Sequence, residues 1–233
     1  MLKEAIILAG GLGTRLKGVI SDIPKPMAPI NGTPFIQHLF NYLIEQKITH
    51  VVLAVGYKHE VIEQYFGKKY KTLAIAYAVE HEPLGTGGGI ANALNFVKSN
   101  EVFLLNGDTF FDVDLTALYA QHKLSKADLT LSLKPMHDFN RYGTVEYDSN
   151  NRIVLFNEKK AVKKGFINGG VYVITKQLFS SFSASEKFSF EQNIMEKGVN
   201  RFNMQAYVCN GYFIDIGIPE DYERAQNELP VKI

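Results

Sequence analysis

The sequence predicts an α/β protein: a single doubly wound, mostly parallel, Rossmann-like sheet flanked by helices, with a smaller antiparallel lobe contributed by the second half. Three observations support this. Short apolar runs alternate with amphipathic segments through the first half, as βαβ units require. Two of these runs lead into glycine-rich turns and a third ends on an acid, at the strand ends where such sheets bind ligands. After about residue 121 the apolar runs follow one another without long helices between them, which is the pattern of antiparallel strands.

Taken in order, Ala5–Ala9, Val51–Val55, Leu73–Val79 and Val102–Leu105 read as buried strands. Between them, Pro34–Gln46 places Phe35, Ile36, Leu39, Phe40, Leu43 and Ile44 on one helical face. Glu60–Phe66 and Ile90–Val97 are weaker helical segments, and Asp114–Gln121 is a further helix. Leu129–Leu133, Gly143–Tyr147, Ile153–Phe156 and Phe166–Ile174 are expected to form an antiparallel lobe laid over the first sheet. Helices near Phe188–Met195 and Pro219–Asn227 follow. With no linker, repeat or low-complexity tract in 233 residues, the simplest organisation is one domain over 1–233. About 1–115 form one half and about 116–233 the other.

Composition narrows the class. Lys and Arg number 25 against 24 Asp and Glu, a formal charge of +1. No broad attraction to nucleic acid or to a membrane surface is therefore expected, and anions must be bound by local placement of charge. The single cysteine, Cys209, excludes an internal disulfide framework and a cysteine-based zinc site. No run approaches the ~20 apolar residues of a membrane span, and the opening residues do not read as a signal peptide, so the expected location is cytoplasmic. A homo-oligomer is left open.

The turn Leu8-Ala9-Gly10-Gly11-Leu12-Gly13-Thr14-Arg15-Leu16 directly follows the first strand. Its glycines let main-chain N–H groups approach a phosphate chain without Cβ atoms in the way. Gly11 and Gly13 lack the third glycine of a dinucleotide fingerprint, and no Gly-Lys-Ser/Thr follows, so neither the dinucleotide nor the P-loop pattern fits. A bare strand-to-helix turn is the competing explanation. Three glycines, a hydroxyl and an arginine within six residues favour phosphate, for which the fork of Arg15 is well suited. Ten residues on, Pro24-Lys25-Pro26-Met27 fixes the backbone on both sides of a lysine, lowering the entropy lost when its ammonium meets an anion.

Two acids stand in apolar surroundings. Asp108 ends the run Val102-Phe103-Leu104-Leu105-Asn106-Gly107, and Asp215 lies within Phe213-Ile214-Asp215-Ile216-Gly217. A carboxylate in such a place is costly without a cation. Capping of the next helix is the alternative for Asp108, although Asp112 and Asp114 are better placed for turn and cap roles. Two carboxylates on separate elements suit Mg²⁺, which needs one or two protein oxygens with phosphate and water completing its shell. Glu82-Pro83-Leu84-Gly85-Thr86-Gly87-Gly88-Gly89 also follows a strand, and reads either as a plain loop or as a surface that a flat base approaches. The six histidines are scattered and are expected on the surface or in caps.

Gly-Gly-x-Gly-Thr-Arg-Leu followed by Pro-Lys-Pro-Met at this distance resembles the nucleotidyl transferases that act on sugar 1-phosphates. The resemblance spans Ala5 to Tyr222 in order. It implies that Leu8, Gly10, Gly11, Gly13, Thr14 and Arg15 contact the nucleotide, with Arg15 on the triphosphate, and that Lys25 meets phosphate near the reacting centre. Arg15, Lys25 and Asp108 would be catalytic, and Asp108 and Asp215 would hold Mg²⁺. Gly85 and Gly87 would touch the base. Lys25, Tyr142 and Gly143, Glu158 and Lys159, and Asn168 and Gly169 would form the sugar-phosphate pocket; Glu158-Lys159 alone reads as an ordinary surface pair. The halves would then be a nucleotide side and a sugar side, and the partners a nucleoside triphosphate and a sugar 1-phosphate.

Departures affect specificity and leave the charged groups intact. Gly18, Ile20 and Phe213 stand where the family commonly has Pro, Thr and Trp. Leu16–Met27, Asn106–Asp112 and Lys187–Glu191 look most like the bacterial heptose 1-phosphate guanylyltransferases, which implies GTP as donor and a product used in surface-glycan synthesis. Other sugar-1-phosphate nucleotidyltransferases (mannose-1-phosphate guanylyl-, uridylyl-, thymidylyl- or cytidylyltransferases) and an inactive nucleotide-sugar sensor remain the alternatives.

Overall fold

The structure is a computed structural model that describes residues 2–11, 23–183 and 186–229. Gly13, Thr14 and Arg15 lie outside the described residues.

The chain opens with strand β1 (Glu4–Leu8). A single 3-10 turn over Lys25–Met27 leads to the short ladder β2 (Pro29–Ile30) and β3 (Thr33–Pro34), then helix α1 (Phe35–Glu45). β4 (His50–Val55), α2 (His59–Phe66), β5 (Lys69–Tyr70), β6 (Leu73–Val79), α3 (Gly85–Ala93), β7 (Glu101–Asn106), β8 (Thr109–Phe111) and α4 (Leu115–Ser125) complete the first half. The second half holds β9 (Leu129–Phe139), β10 (Val145–Tyr147), β11 (Ile153–Phe156), β12 (Val162–Thr175), a π-helical segment (Phe190–Glu196), β13 (Met204–Val208), β14 (Phe213–Asp215) and α5 (Pro219–Glu228).

Among the described residues, eight strands form one sheet in the order β13-β9-β12-β7-β1-β4-β6-β5. β1 lies between β4 and β7, parallel to both, and β4 continues parallel to β6. The central strands are apolar between their polar end residues, as strands covered on both faces must be: Ile6, Ile7, Val52, Leu53 and Leu104 are fully enclosed. One core lies on each face. Ile7, Val51 and Leu53 pack with Phe35, Leu39 and Leu43 of α1, whereas Ile6, Val52 and Leu104 pack with Ile90 of α3 and Phe190 of the π-helical segment. Successive residues of β1 thus serve opposite cores, as the two-residue strand period requires.

The antiparallel lobe differs from expectation in its placement. β12 pairs antiparallel with β7 from Val171 to Thr175 and also with β9, which carries β13 parallel on its far side. These strands extend the main sheet instead of lying over it; only the β10–β11 hairpin and the β8–β14 and β2–β3 ladders form separate small sheets. The apolar periodicity of a strand records that one face is covered and carries no label for the sheet it joins. A second difference concerns Gly85–Gly89, which is the opening of α3 and not a loop. Glycine disfavours a helix by about 1 kcal/mol per residue relative to alanine, yet packing demands it here. A Cβ at Gly87 would lie 2.2 Å from the Phe188 ring, and one at Gly88 2.4 Å from the Glu186 carbonyl oxygen. Finally, His38 and His122 are buried, with His122 Nδ1 2.9 Å from Thr130 Oγ1; both belong to the interior and not to the surface.

Among the described residues no helix is long and apolar enough to cross a membrane. Asp114 caps α4 as expected, accepting from the backbone N–H groups of Thr116 at 2.9 Å and Ala117 at 3.0 Å. Asp114→Ala should therefore cost about 1 kcal/mol, a fall in melting temperature of about 2–4 °C for a chain of this size, with catalytic rate unchanged. A thermal unfolding curve beside a steady-state rate checks both.

Candidate active site

β1, β6 and β7 end at one edge of the sheet, and a cleft of about 380 Å³ opens there. The β1 end supplies Leu8, Ala9, Gly10 and Gly11, while the residues after β7 supply Gly107 and Asp108. Glu80, Pro83, Gly85 and Thr86 form the side beyond β6, Glu191 closes it from the π-helical segment, and Lys25 and Pro26 rise beside Asp108. The open-sheet rule that ligands sit beyond strand carboxyl ends is obeyed.

Two glycines have a clear steric reason. A Cβ at Gly107 would lie 2.4 Å from the Leu8 carbonyl oxygen, which instead accepts the Gly107 N–H at 2.9 Å. The turn after β7 is thereby tied to the start of the glycine-rich turn. At Gly217 a Cβ would meet Asp215 Oδ1 at 2.8 Å; the Gly217 N–H donates to that same oxygen at 2.7 Å.

Lys25 and Asp108 meet directly, Nζ to Oδ2 at 2.6 Å, with the lysine side chain 14 % exposed. Buried Pro24 and Pro26 flank the lysine, and the Met27 N–H closes the turn onto the Pro24 carbonyl at 2.8 Å. Asp215 arrives from the far end of the chain because β14 pairs antiparallel with β8, setting Asp215 opposite Thr109. The Ile216 N–H donates to the Asp108 carbonyl at 3.0 Å. Burial, and then the neighbouring charge of Asp108, push the Asp215 carboxyl up from its ordinary range, while Lys25, the Gly217 N–H and Arg141 pull it back. One lysine thus stands against two adjacent carboxylates. That local deficit of positive charge, with oxygen donors alone, fits a hard divalent cation. Among the described residues no group of three or more His, Cys, Asp or Glu gathers at one point, so substrate oxygens and water would complete such an ion's shell.

The segments expected on the sugar side also approach this edge. Tyr142 donates its hydroxyl to Asp215 Oδ2 at 3.4 Å. A Cβ on Gly143 would lie 2.3 Å from the Asn157 carbonyl oxygen, so the Tyr142–Gly143 turn rests on the residue preceding Glu158. Glu158 and Lys159 themselves are exposed. Gly169 packs against the Phe111 ring of β8, and a bulge in β12 between Asn168 and Tyr172 re-aims side chains at this point. Asn168 Oδ1 accepts the Gly170 N–H at 3.0 Å, and Asn168 and Asn106 both hydrogen-bond the fully buried Tyr172 phenol.

At the opposite end, Gly85 and Thr86 line the cleft, whereas Gly87 sits behind that wall under Phe188. Two carboxylates here escaped the sequence reading. Thr86 and Ser189 hydroxyls both donate to Glu191 Oε2, at 2.6 and 2.8 Å. Glu80 follows β6; its Oε2 accepts the Leu84 N–H at 3.0 Å, and burial pushes its carboxyl up. Cβ atoms on Gly10 and Gly89 would lie 3.2 and 2.6 Å from its Oε1. Glu80 directly follows Val79, the last residue of β6, and in the sequence nothing separates it from an ordinary surface glutamate.

The nucleotidyl transferase family model matches residues 4–231. The D-glycero-α-D-manno-heptose 1-phosphate guanylyltransferase of Aneurinibacillus thermoaerophilus is 51% identical over 226 residues, covering 97% of this chain and 98% of that protein. The protein of the same name from Campylobacter jejuni is 52% identical, covering 94% and 96%. A crystal structure of HddC from Yersinia pseudotuberculosis complexed with GMP-PN is 35% identical, with a TM-score of 0.86 over 97% of this chain and 99% of that one. With a cleft of this construction and relatives of this extent, the chain belongs to the nucleotidyl transferase family.

Proposed function

We propose that this protein transfers the guanylyl group of GTP to D-glycero-α-D-manno-heptose 1-phosphate, releasing pyrophosphate and GDP-heptose. The observation that carries the reaction type is the convergence of Lys25, Asp108 and Asp215 at one end of a cleft whose floor begins at the Gly10–Gly11 turn. The sugar and base follow from two relatives about half identical to the chain along nearly its whole length.

An oxygen of the sugar phosphate attacks the α-phosphorus of GTP in line, the bond to the bridging oxygen breaks, and pyrophosphate departs with the electron pair. The attacking oxygen is already ionised at neutral pH, so no general base is needed. The obstacle is repulsion between two polyanions. Asp108 and Asp215 would hold Mg²⁺, which would offset that repulsion and supply positive charge to the phosphoryl oxygens. Lys25, held rigidly by its flanking prolines, presents a fixed positive charge to the same region. Gly10, Gly11, Gly13, Thr14 and Arg15 are assigned to the nucleotide from the sequence motif, with Arg15 on the triphosphate. Residues 1–115 then form the nucleotide side. Tyr142, Gly143, Glu158, Lys159, Asn168 and Gly169 of the second half hold the sugar phosphate. A reaction consuming GTP belongs in the cytoplasm.

Glu80 supplies a chemical reason for guanine. The Watson–Crick edge of guanine carries two adjacent donors, N1–H and the 2-amino group, and a carboxylate takes both at once. Adenine, uracil and cytosine offer no such pair. Gly85 and Thr86 form the neighbouring wall of that base pocket.

Four outcomes test these assignments. Incubating the protein and Mg²⁺ with each NTP and a panel of sugar 1-phosphates should release pyrophosphate fastest with GTP and the heptose; a different preferred pair would overturn the specificity. Asp108→Asn should abolish turnover while the melting curve stays within a few degrees of wild type, and Lys25→Ala should lower kcat by more than tenfold, about 1.4 kcal/mol. Glu80→Gln keeps the shape and loses the second acceptor, so kcat/KM for GTP should fall by about 1–3 kcal/mol, with ATP and UTP far less affected.

A further inference from the structure

Glu191 lines the cleft beside Thr86 and has no part in the assignments above. It is half-buried, and one of its oxygens is engaged twice: Oε2 accepts the hydroxyls of Thr86 at 2.6 Å and of Ser189 at 2.8 Å. The backbone sets the direction of both bonds. Thr86 Oγ1 accepts the Phe190 N–H at 2.9 Å, and Ser189 Oγ accepts the Gln192 N–H at 3.2 Å, so each hydroxyl turns its single hydrogen towards Glu191. The carboxylate is thereby held in one orientation. Its other oxygen, Oε1, has no hydrogen-bond partner among the described residues. Tying the π-helical segment to α3 needs only Oε2, so an oriented acceptor is left over on the cleft wall.

The place of Glu191 along the cleft limits what Oε1 receives. Thr86 belongs to the wall shared with Glu80, where the base is assigned. On its other side lies Tyr172, whose phenol is pushed up by burial, then by the charge of Glu191 and less by that of Asp108; both acids are near the same phenol. Glu191 therefore stands between the base wall and Asp108. A nucleotide with its base at Glu80 and its α-phosphate at Lys25 and Asp108 lays its ribose along that stretch. A carboxylate repels phosphates and accepts from hydroxyls, and ribose carries two hydroxyls on adjacent carbons. We propose that Glu191 binds the ribose of the nucleotide: Oε1 accepts from the 2′- and 3′-hydroxyls, while Thr86 and Ser189 hold the carboxylate in place, and this contact selects ribonucleotides over their deoxy counterparts. The assignment rests on the reaction and the base position given under Proposed function.

Steady-state kinetics of the full chain with Mg²⁺ and heptose 1-phosphate tests it, comparing GTP with 2′,3′-dideoxy-GTP, which lacks both hydroxyls. Wild type should show kcat/KM about tenfold or more higher for GTP. Glu191→Gln is nearly isosteric. Because Thr86 and Ser189 donate, its amide oxygen takes the place of Oε2 and its NH₂ group that of Oε1, so the acceptor facing the ribose becomes a donor. In this variant kcat/KM for GTP should fall about tenfold, while kcat/KM for the dideoxy analogue and KM for the sugar 1-phosphate stay within about twofold. A wild type that treats the two nucleotides alike, an equal fall with both in Glu191→Gln, or a loss confined to the sugar phosphate overturns the proposal. If Glu191→Gln does not fold, the same ratio in Glu191→Ala decides it. Should wild type prefer another NTP, that NTP and its dideoxy analogue give the same ratio. Absence of wild-type turnover with every NTP and sugar 1-phosphate would remove the reaction itself, a failure distinct from an active wild type beside a Glu191 variant that keeps the full preference.

Discussion

The antiparallel ladder between β8 and β14 places a carboxylate from residue 215 beside one from residue 108, and most of the cleft follows from that pairing. Two like charges brought this close, one of them largely out of water, oppose the folded state until something positive answers them. Lys25 answers in part, and its position depends on the prolines around it. The rest of the demand falls on whatever occupies the cleft. The arrangement leaves a site whose charge is balanced only when a cation joins Lys25, which is what the proposed reaction asks of it.

The other end of the cleft is organised by contact and shape. α3 opens on glycines because Glu186 and Phe188 lie too close for side chains at Gly87 and Gly88, and Thr86 ties this corner to Glu191 and to the Phe190 N–H. Glu80 is enclosed between Gly10 and Gly89, so the first strand's turn and the third helix jointly shape its pocket. Charge gathers Lys25, Asp108 and Asp215 at one end, and steric fit sets the carboxylates of Glu80 and Glu191 at the other. The two ends ask for different kinds of ligand.

Much of this was legible in the residues. The apolar runs at Val51–Val55 and Leu73–Val79 fall within or on the observed strands, because a strand covered on both faces must be apolar throughout. Asp108 and Asp215 stood out because an acid within such a run is costly. Lys25 stood out because two prolines fix it. Glu80 was not legible: one acid after one strand resembles any surface glutamate until Gly10 and Gly89 are folded against it. The glycine run looked like a loop because local propensity opposes a helix there, and the contact that overrides it comes from residues about a hundred positions later. Placement of β9 and β12 was hidden for a similar reason, since sheet membership is decided by partners that the strands themselves do not encode.

Distant parts of the chain are tied together, Lys25 to Asp108 and Thr86 to Glu191 at the cleft, and the Asn31 N–H to Gln226 Oε1 on α5 away from it. Contacts at such separation form late, after loop closure has been overcome. During synthesis Lys25 and Asp108 emerge before Asp215 exists, so a nascent chain carries one acid of the pair without the other. The second carboxylate therefore comes with the same segment that brings Ile214, Ile216, Tyr222, Ala225 and Leu229 into the core, so its placement and the completion of that core are one event.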